Sequence, residues 1–215
     1  MMFVYFAAEL YQGGGFISEK LSYTETTGKK EVRFEYLTEV VENGYIVRRM
    51  SEEQEWDIKC ARDFSTLRCD VRDIESKDTV VMTREGNFID VDMEGFKTRV
   101  RIGKEPWFQA FNNLRDFIKS KKESMKFWWV VPEFMRGFRV RAYKYSARKN
   151  GTETIEVMGR EVEAVAVKLA FSPVQSLFGG AKYWFRKSDG VLLKYSETRG
   201  LPGTARTKGA LVCEE

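Results

Sequence analysis

Histidine is absent from the chain, and this limits the chemistry the remaining side chains could do. Histidine is the commonest metal ligand and the commonest general base, so histidine triads and histidine-based zinc sites are excluded. The carboxylates spaced for joint work are Asp90 and Asp92 in NFIDVDMEGFKTRVRI, which could serve as a catalytic pair or a metal site. A turn at Glu94-Gly95 would instead set Asp92 beside Lys97 and Asp90 beside Arg99. Cross-strand ion pairs on a solvated sheet then account for all four residues. The segment RVRAYKY puts Arg139 and Arg141 on one face, and EVRFEY offers Glu31 and Glu35. Such alternation, turned inward, could build a metal-dependent polyphosphate-processing β-tunnel, but the Glu-x-Glu-x-Lys strand of those tunnels is missing and charged alternation usually faces solvent. The expectation is a non-enzyme with no catalytic residue, no metal and no cofactor.

Cysteine chemistry is the other option. Cys60 and Cys69 bound the stretch CARDFSTLRC, where a reversal near Asp63 to Thr66 would bring them opposite each other. In an oxidising compartment they could form a disulfide; in a reducing one they stay two partly buried thiols. Cys213 lies in the tail. Three thiols at these spacings make no four-ligand zinc site.

These residues sit on a chain of 215 residues, long enough for one domain with a real core. A single β-rich domain over 1–215 is expected, with 1–15 and 204–215 peripheral or poorly ordered. The formal charge of +4, from 36 basic and 32 acidic residues, leaves a surface of mixed sign without the clustered basic face of a nucleic-acid binder. No run of about 20 apolar residues marks a membrane-spanning helix. The start, MMFVYFAAELYQGGG, lacks the basic opening and full apolar run of an intact signal peptide.

Period-two alternation broken by glycine turns dominates, as expected of half-buried antiparallel strands. Asn43-Gly44 and Asn150-Gly151 read as two-residue hairpin turns, setting Val41 against Ile46, Glu39 against Arg48, and Arg148 against Glu153. One segment departs from this pattern. EPWFQAFNNLRDFIKSKK carries Trp107, Phe111, Leu114 and Ile118 at helical spacing, with a proline suited to a first helical position. A lone wide-faced helix among strands has to be covered by the sheet, and a curved sheet wrapped round it is the economical solution.

Aromatic density is the remaining signal. MKFWWVVPEFMRGF exceeds what one strand face can bury, and SPVQSLFGGAKYW places Leu177 and Phe178 before a glycine pair. In EVEAVAVKLAF, Val165, Val167, Leu169 and Phe171 share one face, while Ala164, Ala166 and Ala170 leave room on the other for the helix or an apolar guest. YWFRKSDGVLLKYSETRG folds back at Ser188-Asp189-Gly190, setting Tyr183 against Tyr195, Phe185 against Leu193, and Trp184 beside Lys194 in reach of a cation-π contact.

The Lys-Asn-Gly-Thr segment, the MGREVEAVAVKL strand and the YWFRKSDGVLLKYSETRG ribbon together resemble the bacterial envelope proteins of the domain-of-unknown-function 3108 family. These are themselves similar to the lipoprotein-carrier (LolA/LolB-like) architecture. The resemblance is best over Phe138 to Gly200. It implies a strongly curved, unclosed antiparallel sheet around a helix, a half-barrel in the periplasm or at a membrane face; this sequence departs from the family in lacking a recognisable leader. The expected role is a cell-envelope protein binding an apolar ligand, such as a lipid, an acyl chain or a lipidated peptide, between sheet and helix. Its candidate lining is Phe108, Phe111, Trp128, Trp129, Leu177, Phe178 and Trp184. Each of these could equally belong to a sealed core. The alternatives are a structural or assembly partner of other envelope proteins, adding a strand at a sheet edge, and less favoured, the tunnel enzyme. No nucleic-acid partner is expected, since the aromatics alternate inward.

Overall fold

The computed structural model describes residues 17–93, 95–133, 139–170, 181–198 and 205–215. Strand-forming alternation prevails along nearly all of it. The strands are β1 (Ile17–Thr27), β2 (Lys30–Val41), β3 (Gly44–Ser51), β4 (Gln54–Cys60), β5 (Thr66–Asp73), β6 (Thr79–Glu85), β7 (Phe88–Met93) and β8 (Phe96–Arg101). After one short helix, α1 (Arg115–Lys119), come β9 (Ser124–Glu133), β10 (Arg139–Val157), β11 (Arg160–Ala170), β12 (Ala181–Arg186), β13 (Leu192–Thr198) and β14 (Arg206–Glu214). All join one antiparallel sheet in the order β8-β7-β6-β5-β4-β3-β2-β1-β14-β13-β12-β11-β10-β9. The ladder does not close, since β8 and β9 are its ends. The expected mainly-β architecture, an unclosed curved sheet with a single helix, is what is found.

Curvature comes from a bridge. The extended segment Pro106–Gln109 bonds the terminal strand β9 on one side, through Trp128 N to Pro106 O at 2.8 Å and Phe108 N to Trp128 O at 3.0 Å. On the other side it reaches the start of β5, where Thr66 N donates to Trp107 O at 2.7 Å and Gln109 N donates to Thr66 Oγ1 at 3.0 Å. An end strand is thereby tied to a strand in the body of the sheet, which must roll up to allow it.

This bridge overturns part of the helix expectation. Pro106–Gln109 is extended, a 3₁₀ turn covers Phe111–Leu114, and only Arg115–Lys119 is α-helical. The apolar spacing is nevertheless used, with Trp107, Leu114 and Ile118 all buried. Burial was legible in the pattern. The competition for backbone hydrogen bonds from β5 and β9 was not.

Other registers differ in instructive ways. The β2–β3 hairpin turns at Glu42-Asn43, with Val41 opposite Gly44 and Glu39 opposite Ile46. Gly44 is required for closeness, because an added Cβ would lie 2.0 Å from the Cys60 carbonyl oxygen. Glu39 still meets Arg48, diagonally, at 3.5 Å. Asn150-Gly151 makes no hairpin. β10 runs straight through it with a bulge between Lys149 and Thr152, as a glycine with φ of 87° allows. The turn falls instead at Met158-Gly159, both at positive φ (50° and 71°), the geometry that two-residue hairpins favour. The β7–β8 register is as expected, with Asp92 paired to Lys97 at 3.1 Å and Asp90 to Arg99 at 2.5 Å. These carboxylates are surface ion pairs.

The tail expected at the periphery forms β14, seated between β1 and β13. Residues 1–15 lie outside the described residues. Cys60 faces Thr66 while Cys69 faces Ile58, because the β4–β5 register pairs Ile58, two residues before Cys60, with Cys69. The cysteines are therefore not opposite each other, and both thiols are free and buried. Burial pushes the Cys60 thiol up to about 12, opposed by the Asn113 amide that donates to its sulfur at 3.2 Å. It raises Cys69 as well.

The aromatic ribbon keeps Tyr183 opposite Tyr195 and Trp184 opposite Lys194, then slips by one so that Phe185 faces Leu192. The rings of Tyr183 and Tyr195 stack at 5.4 Å. Tyr195 in turn lies flat on Gly209, across the ladder in β14, where a Cβ would sit 2.1 Å from the ring.

Two outcomes follow. Gly209→Ala must displace the Tyr195 ring from a packed layer, and overpacking of this kind costs about 1–3 kcal/mol, read as a lower urea midpoint. A midpoint unchanged from wild type would show that the ring has room. Under native conditions at neutral pH a thiol reagent should label Cys213 alone, with Cys60 and Cys69 reacting only on unfolding. Because both buried thiols have raised folded values, their stabilising contribution is intact below the ordinary thiol value of about 8.5. It is lost as the pH climbs through the folded value of Cys60, about 12. Rapid native labelling of three thiols would contradict this burial.

Candidate functional site

Inside the roll, β1 to β4 present one face in rows. Tyr23, Phe34 and Tyr36 form a three-ring group with centroids 5.3–5.7 Å apart. Arg49 on β3 lies directly between Tyr36 on β2 and Trp56 on β4. From the opposite side come Phe111, on the 3₁₀ turn, and Trp129 on β9, with ring centroids 4.2 Å apart. Between these walls a cleft of about 270 Å³ remains, lined by Phe34, Tyr36, Trp56, Phe111, Trp129 and Val131, with Leu192 and Tyr195 completing it. Gln54, Gln109, Glu25 and Arg49 supply its polar atoms. It shares Glu25, Phe34, Arg49 and Gln54 with an outer recess of about 420 Å³ that reaches the β1–β2 and β3–β4 turns through Thr27, Lys30, Ser51 and Glu53. Together they form one opening at the end of the roll where those turns lie.

The position of Phe111 is set by buried polar contacts. Arg115 reaches Glu19 on β1, with Nη1 to Oε1 at 3.0 Å and a second bond from Nη2, and also meets Asn112 Oδ1 at 3.2 Å. The Arg186–Gly190 turn presses on the same place. A Cβ on Gly190 (φ 77°) would lie 2.9 Å from the Arg115 Cα, so only glycine fits. Gln109 beside it is fully engaged, its Nε2 donating to Val130 O at 2.6 Å and its Oε1 accepting from Trp107 at 2.7 Å. Buried polar groups of this kind are costly unless satisfied. They tie the 3₁₀ turn to β1 and β9, while Arg115 Nε and Asn113 Oδ1 are buried without a hydrogen-bond partner among the described residues.

The expected lining residues scatter. Phe111 and Trp129 line the cleft. Phe108 is buried edge-on against Phe127 at 5.6 Å and contributes to a different, basic-rimmed groove beside α1. Trp128 points to the other side of β9, where its indole N–H donates to Glu105 at 3.2 Å and Lys144 lies over its ring. The Lys144 ammonium beside Glu105 holds that carboxyl down to about 2. Trp184 is on the outer face, its indole N–H donating to Glu153 on β10. To reach there it spans β11 at Ala164 and Ala166, so the alanines make room for an indole, not for a helix or a guest. The cation over the Trp184 ring is Lys182, at 4.5 Å; Lys194 instead donates to the Glu156 carbonyl. Leu177 and Phe178 lie outside the described residues.

Phe34, Tyr36, Arg49 and Trp56 are not singled out by the sequence pattern, although VRFEY and QEWDI alternate plainly. The densest aromatic runs lie on strands whose rings divide between the two faces. Among the described residues no three Cys, Asp or Glu side chains stand together in an arrangement able to hold a metal ion. No helix among them is long and apolar enough to cross a membrane.

No family model matches the chain, and no curated protein does. Among solved structures, the chain is similar to the hypothetical lipoprotein YmcC from Escherichia coli (K12), with a TM-score of 0.46 and 10% identity over 94% of this chain and 89% of that one.

Arg115→Ala should cost about 2–4 kcal/mol by leaving Glu19 unpaired in a largely desolvated place. Arg99→Ala, which breaks an exposed pair, should cost under about 1 kcal/mol. Denaturant unfolding of the two variants compares them directly, and equal losses would refute the anchoring role given to Arg115.

Proposed function

We propose that the protein is a non-enzymatic cell-envelope protein that holds one apolar chain in the cleft between the inner face of β1–β4 and the wall formed by Phe111 and Trp129. The observation that carries this reading is the cleft itself. Between the rings of β2–β4 and the Phe111–Trp129 wall this space stays open, is walled mainly by aromatic and aliphatic side chains, and reaches solvent. Ligand pockets typically measure about 300–1,000 Å³. A cleft of about 270 Å³ therefore suits a single acyl chain or an apolar side chain better than a whole two-chain lipid. Affinity would come from burial at about 25 cal/mol per Å², with no bond made or broken. The envelope setting is supported by the resemblance of the Phe138–Gly200 region to the envelope family named above.

The test is titration with the neutral fluorescent probe N-phenylnaphthylamine, together with mass spectrometry of an organic extract of the purified protein. Val131→Trp fills the cleft and should abolish probe binding. Trp184→Ala, altered on the outer face, should bind as wild type does. A Val131→Trp protein that still binds the probe, or binding lost only in Trp184→Ala, would remove the cleft from consideration.

A further inference from the structure

The cleft is lined by one guanidinium, Arg49, and one carboxylate, Glu25, and among the described residues no ion pair joins them. Of the ionisable residues at the opening, Lys30 is paired with Glu53 at 2.7 Å, and Glu25 accepts the Tyr195 hydroxyl. Arg49 has no carboxylate within ion-pair distance among the described residues. Its recorded partner is the face of Phe34, with the guanidinium carbon 4.8 Å from the ring centroid. It is half-buried and belongs to both the cleft and the outer recess. In the sheet it is flanked by Tyr36 and Trp56, two of the apolar walls.

This arrangement has a definite chemical complement. A guanidinium whose carbon lies over a ring can still present an N–H edge, and that planar fork matches the two oxygens of a carboxylate. Partial burial beside three aromatic rings lowers the local dielectric, so an anion placed there interacts more strongly than it would in water. From Arg49 the cleft continues inward to Phe111 and Trp129, which offer nothing ionic. Resting on the apolar-chain reading above, we infer that the ligand is a single-chain alkyl carboxylate. Its head is bidentate on Arg49 at the opening, and its chain lies between Tyr36 and Trp56 on one side and Phe111 and Trp129 on the other.

The test compares decanoate with decanol, the same chain with and without the charge, by calorimetric titration of the whole protein at neutral pH. Decanoate should bind about tenfold more tightly, the preference should shrink as salt is added, and in Arg49→Gln the decanoate affinity should fall to that of decanol. Equal affinities in the wild type, or a preference that survives Arg49→Gln, would overturn the assignment of Arg49 while leaving the apolar cleft standing. If neither compound binds the wild type, the apolar-chain reading fails and takes this inference with it.

Discussion

The short extended bridge from Pro106 to Gln109 is the constraint on which the molecule's shape depends. A sheet of antiparallel strands twists but has no intrinsic reason to bring its last strand near its middle. Here the backbone of Trp107 and the side chain of Thr66 hold one side of the bridge, while Trp128 and the Val130 carbonyl hold the other. Since these groups are buried, each hydrogen bond lost would leave an unsatisfied partner behind, which costs more than the bond's net worth. The bridge therefore fixes the roll more firmly than its length suggests. It is also why a sequence with helical spacing gives up most of its helix.

Rolling the sheet creates an interior, and the aromatic rows decide how full it is. On the β12–β13 side, Tyr183, Phe185 and Tyr195 stack closely, helped by Gly209, which lets the Tyr195 ring lie on bare backbone. On the β2–β4 side the rings of Phe34, Tyr36 and Trp56 meet the Phe111–Trp129 wall without filling the gap. Arg115, bonded to Glu19, and the close approach of Gly190 place the 3₁₀ turn at this distance from β2–β4. The open space follows from polar anchors that outcompete collapse.

Much of this was legible in the sequence. Strand alternation shows a mainly-β antiparallel sheet, while its curvature was expected from a wide-faced helix needing cover, a helix that in the structure shrinks to Arg115–Lys119; the Asp90–Arg99 and Asp92–Lys97 register followed from one glycine turn. Tyr183 opposite Tyr195 followed from the Ser-Asp-Gly loop. The failures have physical causes. Asn150-Gly151 has the residues of a hairpin turn, yet a glycine at positive φ serves a bulge equally well, and local chemistry does not choose between them. For the helix, period 3.6 and burial in an irregular segment leave the same pattern when most residues end up inside. For the site, Trp128, Trp129 and Trp184 look alike in sequence. Face assignment separates them, and that depends on register shifts such as the one after Trp184. Arg49 gave no sequence signal beyond alternation, because whether it finds an ion-pair partner among the described residues depends on its neighbours across the sheet.

The account stands on the inner cleft being accessible to an alkyl chain, and a spin-labelled fatty acid examined by NMR tests this most directly. Paramagnetic broadening should concentrate on amides of Phe34, Tyr36, Trp56 and the Phe111 turn, and spare the outer-face positions around Glu153, Lys182 and Trp184. Broadening centred on that outer face, or spread evenly over the surface, would contradict the account.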